Sequence, residues 1–165
     1  GRTSVSAANS FATFVGQNLG NNNPQRAEKA VHLALTYGVT FLGIISVIFI
    51  LLGRRILGFF VTDPAVIQDA YNYLLAISIF EFALALEVIT QGAFVGAGNT
   101  RPPFYISVVG TALRIPLAYF LAIVLDLGVN MIWWVISIST LLKGVTMLFW
   151  FKRGGWKTKR LSVTD

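Results

Sequence analysis

The chain has 165 residues, 55% of them hydrophobic and 12% charged, with a mean hydropathy of +0.70 and a net charge of +6. Ordinary soluble domains carry roughly 25% charged residues, so the composition excludes one and points to an integral membrane protein. The absence of cysteine and the single histidine, His32, exclude a disulfide scaffold, a thiolate metal site, a cysteine nucleophile and a histidine-built zinc site.

The net charge alone would also fit a nucleic-acid binder. Much of the excess, however, lies between Lys152 and Arg160, after the last apolar run, so membrane lipid headgroups are the expected partner and nucleic acid is not. The sequence starts at Gly1 with no initiator methionine and no signal-peptide pattern, and it is expected to be a piece of a longer protein.

In chain order, the stretch from Thr3 to Gln25 has no charge but contains Ser4, Ser6, Asn9, Ser10, Thr13, Gln17 and Asn18, so it cannot face lipid all round. Ala8, Ala12, Gly16 and Gly20 recur every four residues, a small-residue stripe that lets another helix approach closely and is expected to serve packing. Asn21 to Asn23 form a turn, and Pro24 suits the first turn of the next helix. Leu33 to Gly53 is an uncharged run of 21 residues, long enough to span a hydrocarbon core of about 30 Å. After Arg54 and Arg55 comes the break Thr62-Asp63-Pro64, with Asp63 as N-cap and Pro64 at the first helical position.

The central helix follows, and its stretch Tyr71 to Thr100 organises the rest of the chain. Its two carboxylates, Glu81 and Glu87, project roughly 120° apart on a helix, among Phe, Leu, Ile and Ala in every direction. An amphipathic surface helix is thereby excluded. A Gly-rich turn leads through Arg101-Pro102-Pro103 into a fourth span over about 104–125, interrupted by Arg114 and expected to kink near Pro116. Asp126 to Asn130 form a loop. The fifth span, about 131–151, has Trp133 and Trp134 at one end, Trp150 about 25 Å away at the other, as two aromatic belts require, and Lys143 inside.

Five spans put the termini on opposite sides. One side collects Arg26, Lys29, Arg101, Lys152, Arg153, Lys157, Lys159 and Arg160, the other Arg2, Arg54 and Arg55, and eight basic residues against three place the tail in the cytoplasm.

Charges inside a bilayer cost at least about 2.5 to 3.5 kcal/mol each at its centre, so they are functional candidates. There are four: Glu81, Glu87, Arg114 and Lys143. Counted from the turn near residue 100, Glu87 and Arg114 both lie about 13 residues away, and Lys143 reaches a comparable depth from the same face. Glu87 therefore has two possible cationic partners. A buried Glu87–Arg114 pair is the first expectation, with Lys143 either paired or snorkelling. Glu81 lies about 9 Å farther from the turn and matches no cation, which makes it the candidate for a group that changes protonation. Gly96-x-Gly98 is discounted as a phosphate-binding fingerprint, because no strand precedes it and prolines follow it. No Ser/His/Asp set or metal-spaced carboxylate cluster exists, so an enzyme is not expected.

Several motifs together resemble one family. Val15-Gly16-Gln17-Asn18-Leu19-Gly20 with Pro24-Gln25-Arg26-Ala27, Val61-Thr62-Asp63-Pro64, Gln91-Gly92-Ala93-Phe94-Val95-Gly96-Ala97-Gly98-Asn99-Thr100-Arg101-Pro102, Leu113-Arg114-Ile115-Pro116-Leu117-Ala118, Trp133-Trp134 and Gly155-Trp156-Lys157 are similar in order and spacing to the C-terminal half of multidrug and toxic compound extrusion (MATE) transporters. The resemblance implies an all-α polytopic membrane bundle of about five helices, near 3–20, 30–53, 64–97, 104–125 and 131–151. These would form part of a six-helix C-lobe over 1–151, with a basic cytoplasmic tail over 152–165.

It also implies a secondary antiporter of the plasma (inner) membrane that exports organic cations or other amphiphiles in exchange for H+ or Na+, with no cofactor. The N-lobe and helix seven would be the missing partners. Glu81, Glu87, Gln17 and Gln91 are then the candidates for the substrate and ion pathway, and Arg114 and Lys143 for charge pairing. One branch of the family places a cation-binding aspartate where this chain has Leu84, with Glu81 one turn earlier, so a proton site in the missing half is favoured. The alternatives are a lipid-linked oligosaccharide flippase of the same broad architecture and a non-transporting membrane assembly subunit.

Overall fold

A computed structural model describes residues 2–156, and side chains from Phe11 onward. The expected basic residues Lys157, Lys159 and Arg160 lie outside the described residues, as does the rest of the tail. The described chain is helical: α1 (Arg2–Gly20), α2 (Pro24–Gly58), α3 (Pro64–Ser78), α4 (Glu81–Gly96), α5 (Arg101–Tyr119) and α6 (Asn130–Lys152). A π turn over Phe120–Val124 extends α5. Three helices are long and apolar enough to cross a membrane, and α3 with α4 makes a fourth span if the bent pair is taken as one. The fold is thus an all-α polytopic membrane bundle. The polar residues of α1 keep it below the hydropathy of a lipid-facing span.

Local chemistry sets the boundaries. Pro24 opens α2 and Pro64 opens α3, where a missing N–H costs nothing because the first turn has no intrahelical acceptor for it. Asp63 caps α3, its Oδ1 accepting from the Ala65 amide at 2.8 Å. Gly154, at φ +76°, ends the chain's run after α6 in a left-handed conformation that glycine adopts freely. Helix α5 continues through Pro116, and the ladder widens four residues later, where the Leu125 amide donates to the Phe120 carbonyl at 3.0 Å.

The central element expected over 64–97 is two helices, bent by 44° at Ile79 and Phe80. The Phe80 amide donates to Ile77 and the Ala83 amide to Phe80, both three residues back. The Ser78 carbonyl accepts the Ser46 hydroxyl of α2, so a neighbouring helix supplies a donor at the break. An unsatisfied carbonyl in hydrocarbon would cost several kcal/mol. Trp134 of α6 closes the other side, its ring edge-on to Phe80 at 6.3 Å.

Helix α4 is the hub, packed on α1, α2 and α6, whereas α5 lies along α6 and barely touches α4. Glycines let backbones meet, Gly16 and Gly96 between α1 and α4 and Gly144 between α6 and α4. A Cβ on Gly96 would stand 2.2 Å from the Ala12 carbonyl oxygen, and one on Gly144 would stand 2.8 Å from that of Ala83. The stripe on α1 therefore packs, through Ala12 and Gly16, against α4. The main core cluster gathers Val15, Val31, Phe94, Met147, Phe151 and Trp156, at the end of the bundle that also carries Arg26, Lys29, Arg101 and Lys152.

Candidate functional site

The four intramembrane charges fall into three settings. Glu87 on α4 is 9% exposed and accepts a hydrogen bond from the Lys143 Nζ of α6 at 2.6 Å. Gly144 brings α6 against the α4 backbone beside Glu87, and Lys143 is its neighbour in sequence. The stem of Lys143 lies over Gly110, where a Cβ would stand 2.7 Å from the Lys143 Cγ. Lys143 is therefore paired rather than snorkelling.

Arg114 does not pair with Glu87, and the expected Glu87–Arg114 bridge is corrected. Helices four and five of the bundle are consecutive but not packed on one another, so equal depth does not bring their side chains together. Arg114 turns to α6 instead. Its Nε donates to Ser139 Oγ at 2.7 Å and its Nη2 to Thr140 Oγ1 at 3.3 Å. Both hydroxyls donate in turn to the Ile136 carbonyl, at 2.8 and 3.0 Å, so their lone pairs face the guanidinium.

Glu81 stands half-buried in the first turn of α4, directly after the break. A cavity of about 170 Å³ adjoins it, between Glu81, Phe80 and Leu84 on one side and Ile136, Ser137 and Thr140 of α6 on the other. No cation pairs with Glu81 among the described residues. Thr140 thus borders the Glu81 cavity and holds Arg114 at once. Gln17 and Gln91 are both exposed and join neither cluster. Among the described residues no group of three His, Cys, Asp or Glu side chains could hold a metal ion.

Sequence reasoning did not single out Ser139, Thr140 or Ser46. A signal for the first two existed: they precede Lys143 by four and three residues, the spacing that places side chains on one helix face. Nothing local marks Ser46, whose role depends on where α3 breaks.

Membrane-length helices around an internal ammonium–carboxylate pair, with a guanidinium and a second carboxyl beside them, define a polytopic integral membrane protein with charged groups inside its spans. The MatE family model matches residues 3–120, and this chain belongs to that family of transporters. A probable multidrug resistance protein NorM of Thermotoga maritima is 25% identical over 155 residues, covering 93% of this chain and 33% of the relative. A NorM of Mannheimia succiniciproducens, also described as a probable multidrug resistance protein, is 31% identical over 110 residues, 66% of this chain and 24% of its own length. The multidrug resistance protein MdtK of Pectobacterium atrosepticum is 30% identical over 110 residues, with the same coverage. The chain spans a quarter to a third of the length of these relatives.

Proposed function

We propose that this chain forms part of the C-lobe of a secondary active multidrug efflux transporter, exchanging inward H+ or Na+ for an exported organic cation or other amphiphile. The remaining lobe, helix seven, membrane lipids and a small-molecule substrate would be its partners. The membrane would be the plasma (inner) membrane, with the basic end of the bundle in the cytoplasm.

The observation that carries the reading is the contrast between the two carboxylates. Glu87 is neutralised by Lys143, whereas Glu81 stands half-buried at a bend in a span, beside a cavity and with no paired cation among the described residues. Alternating access exposes such a group to water in one state and closes it off in the other. That difference in solvation lets a carboxyl take up a proton or cation on one side and release it on the other. The relatives' names as multidrug resistance proteins support the substrate class. A polyanionic flippase substrate would call for several unpaired cations, and of the two cations lining the α5–α6 groove Lys143 is already paired.

The test is Glu81→Gln in a complete transporter carrying this chain, with ethidium extrusion followed in inside-out vesicles across pH and Na+ gradients. The substitution should flatten the pH or Na+ dependence of extrusion and leave expression intact. An unchanged ion dependence would remove Glu81 from the coupling residues.

A further inference from the structure

The α5–α6 groove holds a cation that the transport reading does not use. Helix α5 buries only Pro102 and Pro103, and one of its faces forms a groove of about 480 Å³ with α6, within the size range of small-ligand sites. Tyr105, Val109, Leu113 and Leu117 of α5 and Leu142 of α6 make apolar walls, and Arg114 lines the groove among them.

Among the described residues Arg114 has only neutral partners. Ser139 and Thr140 accept two of its N–H groups and spend their own hydrogens on the Ile136 carbonyl. They orient the guanidinium and leave its charge in place. A guanidinium has five donors in a fixed fork, so an edge remains for an acceptor, and no carboxylate pairs with Arg114 among the described residues. The other cation of the groove, Lys143, is neutralised by Glu87 at 2.6 Å, with its stem laid over Gly110. The groove therefore carries one uncompensated positive charge in an apolar setting, and a single negative charge on an apolar body complements it.

Depth separates the possible sources of that charge. Arg114 is about 20 Å along the helix from Arg101 and about 15 Å from Val124, far from either interface. A phospholipid whose headgroup stays at the surface cannot place its phosphate there, whereas a compact amphiphile can.

We propose that the groove between α5 and α6 binds an amphiphilic organic monoanion, a carboxylate or sulfonate on a flat apolar body, with Arg114 as its anchor. This goes beyond the transport reading and does not depend on Glu81 or on a coupling ion.

The test uses a complete transporter carrying this chain, reconstituted in zwitterionic vesicles, and two fluorescent probes of the same skeleton: anilinonaphthalene sulfonate, and phenylnaphthylamine, which lacks the sulfonate. Binding is read against protein-free vesicles. Arg114→Gln should weaken the sulfonate roughly tenfold or more, the size of a lost charge-assisted hydrogen bond, and leave the neutral probe unchanged. Arg114→Lys should restore part of the loss. Leu113→Trp, at an exposed wall position, should weaken both probes by filling the groove, and it serves where Arg114→Gln does not fold. Equal response of the two probes to Arg114→Gln would overturn the proposal and mark the groove as a packing surface for another helix. So would sulfonate binding that survives Leu113→Trp, or displacement of the sulfonate by added phosphatidylglycerol, which would identify a lipid headgroup as the occupant.

Discussion

Glu87 and Lys143 meet at 2.6 Å with side chains only 11% and 12% exposed, so each holds a charge that would otherwise stand alone in an apolar interior. Removing one partner of such a pair typically costs about 3 to 5 kcal/mol, because the other is left uncompensated. Glu87→Gln and Lys143→Met should each lose stability on that scale in a denaturant titration in detergent. The double variant should lose clearly less than the two combined. A coupling of zero between these positions would sink the pair, and the parallel cycle with Arg114→Gln should be close to additive with Glu87→Gln. Residue counting from the turn near 100 puts Glu87, Arg114 and Lys143 at one depth, which is a property of helical rise and visible in sequence. Which cation turns toward Glu87 depends on direction around the helix and on which helices touch. Those follow from α5 packing on α6 rather than on α4, a tertiary fact with no local signal.

At the scale of elements, the α1–α4 contact rests on backbone approach. With the Ala12 carbonyl oxygen 2.2 Å from a Cβ on Gly96, Gly96→Ala must push the helices apart, and overpacking of this kind costs about 1 to 3 kcal/mol. Gly20→Ala, where nothing lies within 4 Å, should be neutral or slightly stabilising, since alanine is the better helix former. Comparing the two variants in the same unfolding titration checks the contact, and equal stabilities would count against it. The four-residue spacing of Ala8, Ala12, Gly16 and Gly20 made this surface legible, and the caps at Pro24 and Asp63-Pro64 were legible from residue type. The bend at Ile79 and Phe80 was not. Neither residue is a helix breaker, no Gly or Pro stands nearby, and the bend is accommodated by groups from other elements, the Ser46 hydroxyl on one side and Trp134 on the other.

On the scale of the whole molecule, the main core cluster sits at one end of the bundle, where α1, α2, α4 and α6 converge with Trp156. That end also concentrates the basic residues, and the proposed orientation places it in the cytoplasm. Single cysteines at Thr62 and Thr100, both exposed and at opposite ends of the chain's helical segment 64–97, should differ in reaction with an impermeant thiol reagent on intact cells. Thr62→Cys should label and Thr100→Cys should not, and the reverse pattern would invert the orientation.

Trp156 gives this arrangement a temporal side. It is 1% exposed, stacks on Phe151 with ring centroids 4.7 Å apart, and donates from Nε1 to the Phe151 carbonyl at 3.0 Å. Because it follows all six helices in the sequence, it leaves the ribosome after every one of them has been made. Trp156 can therefore cover Phe151 only once α6, the last helix of the core, has been made. Until residue 156 has emerged and folded back past Gly154, the newly made bundle presents an unfinished aromatic face to whatever machinery surveys nascent membrane proteins.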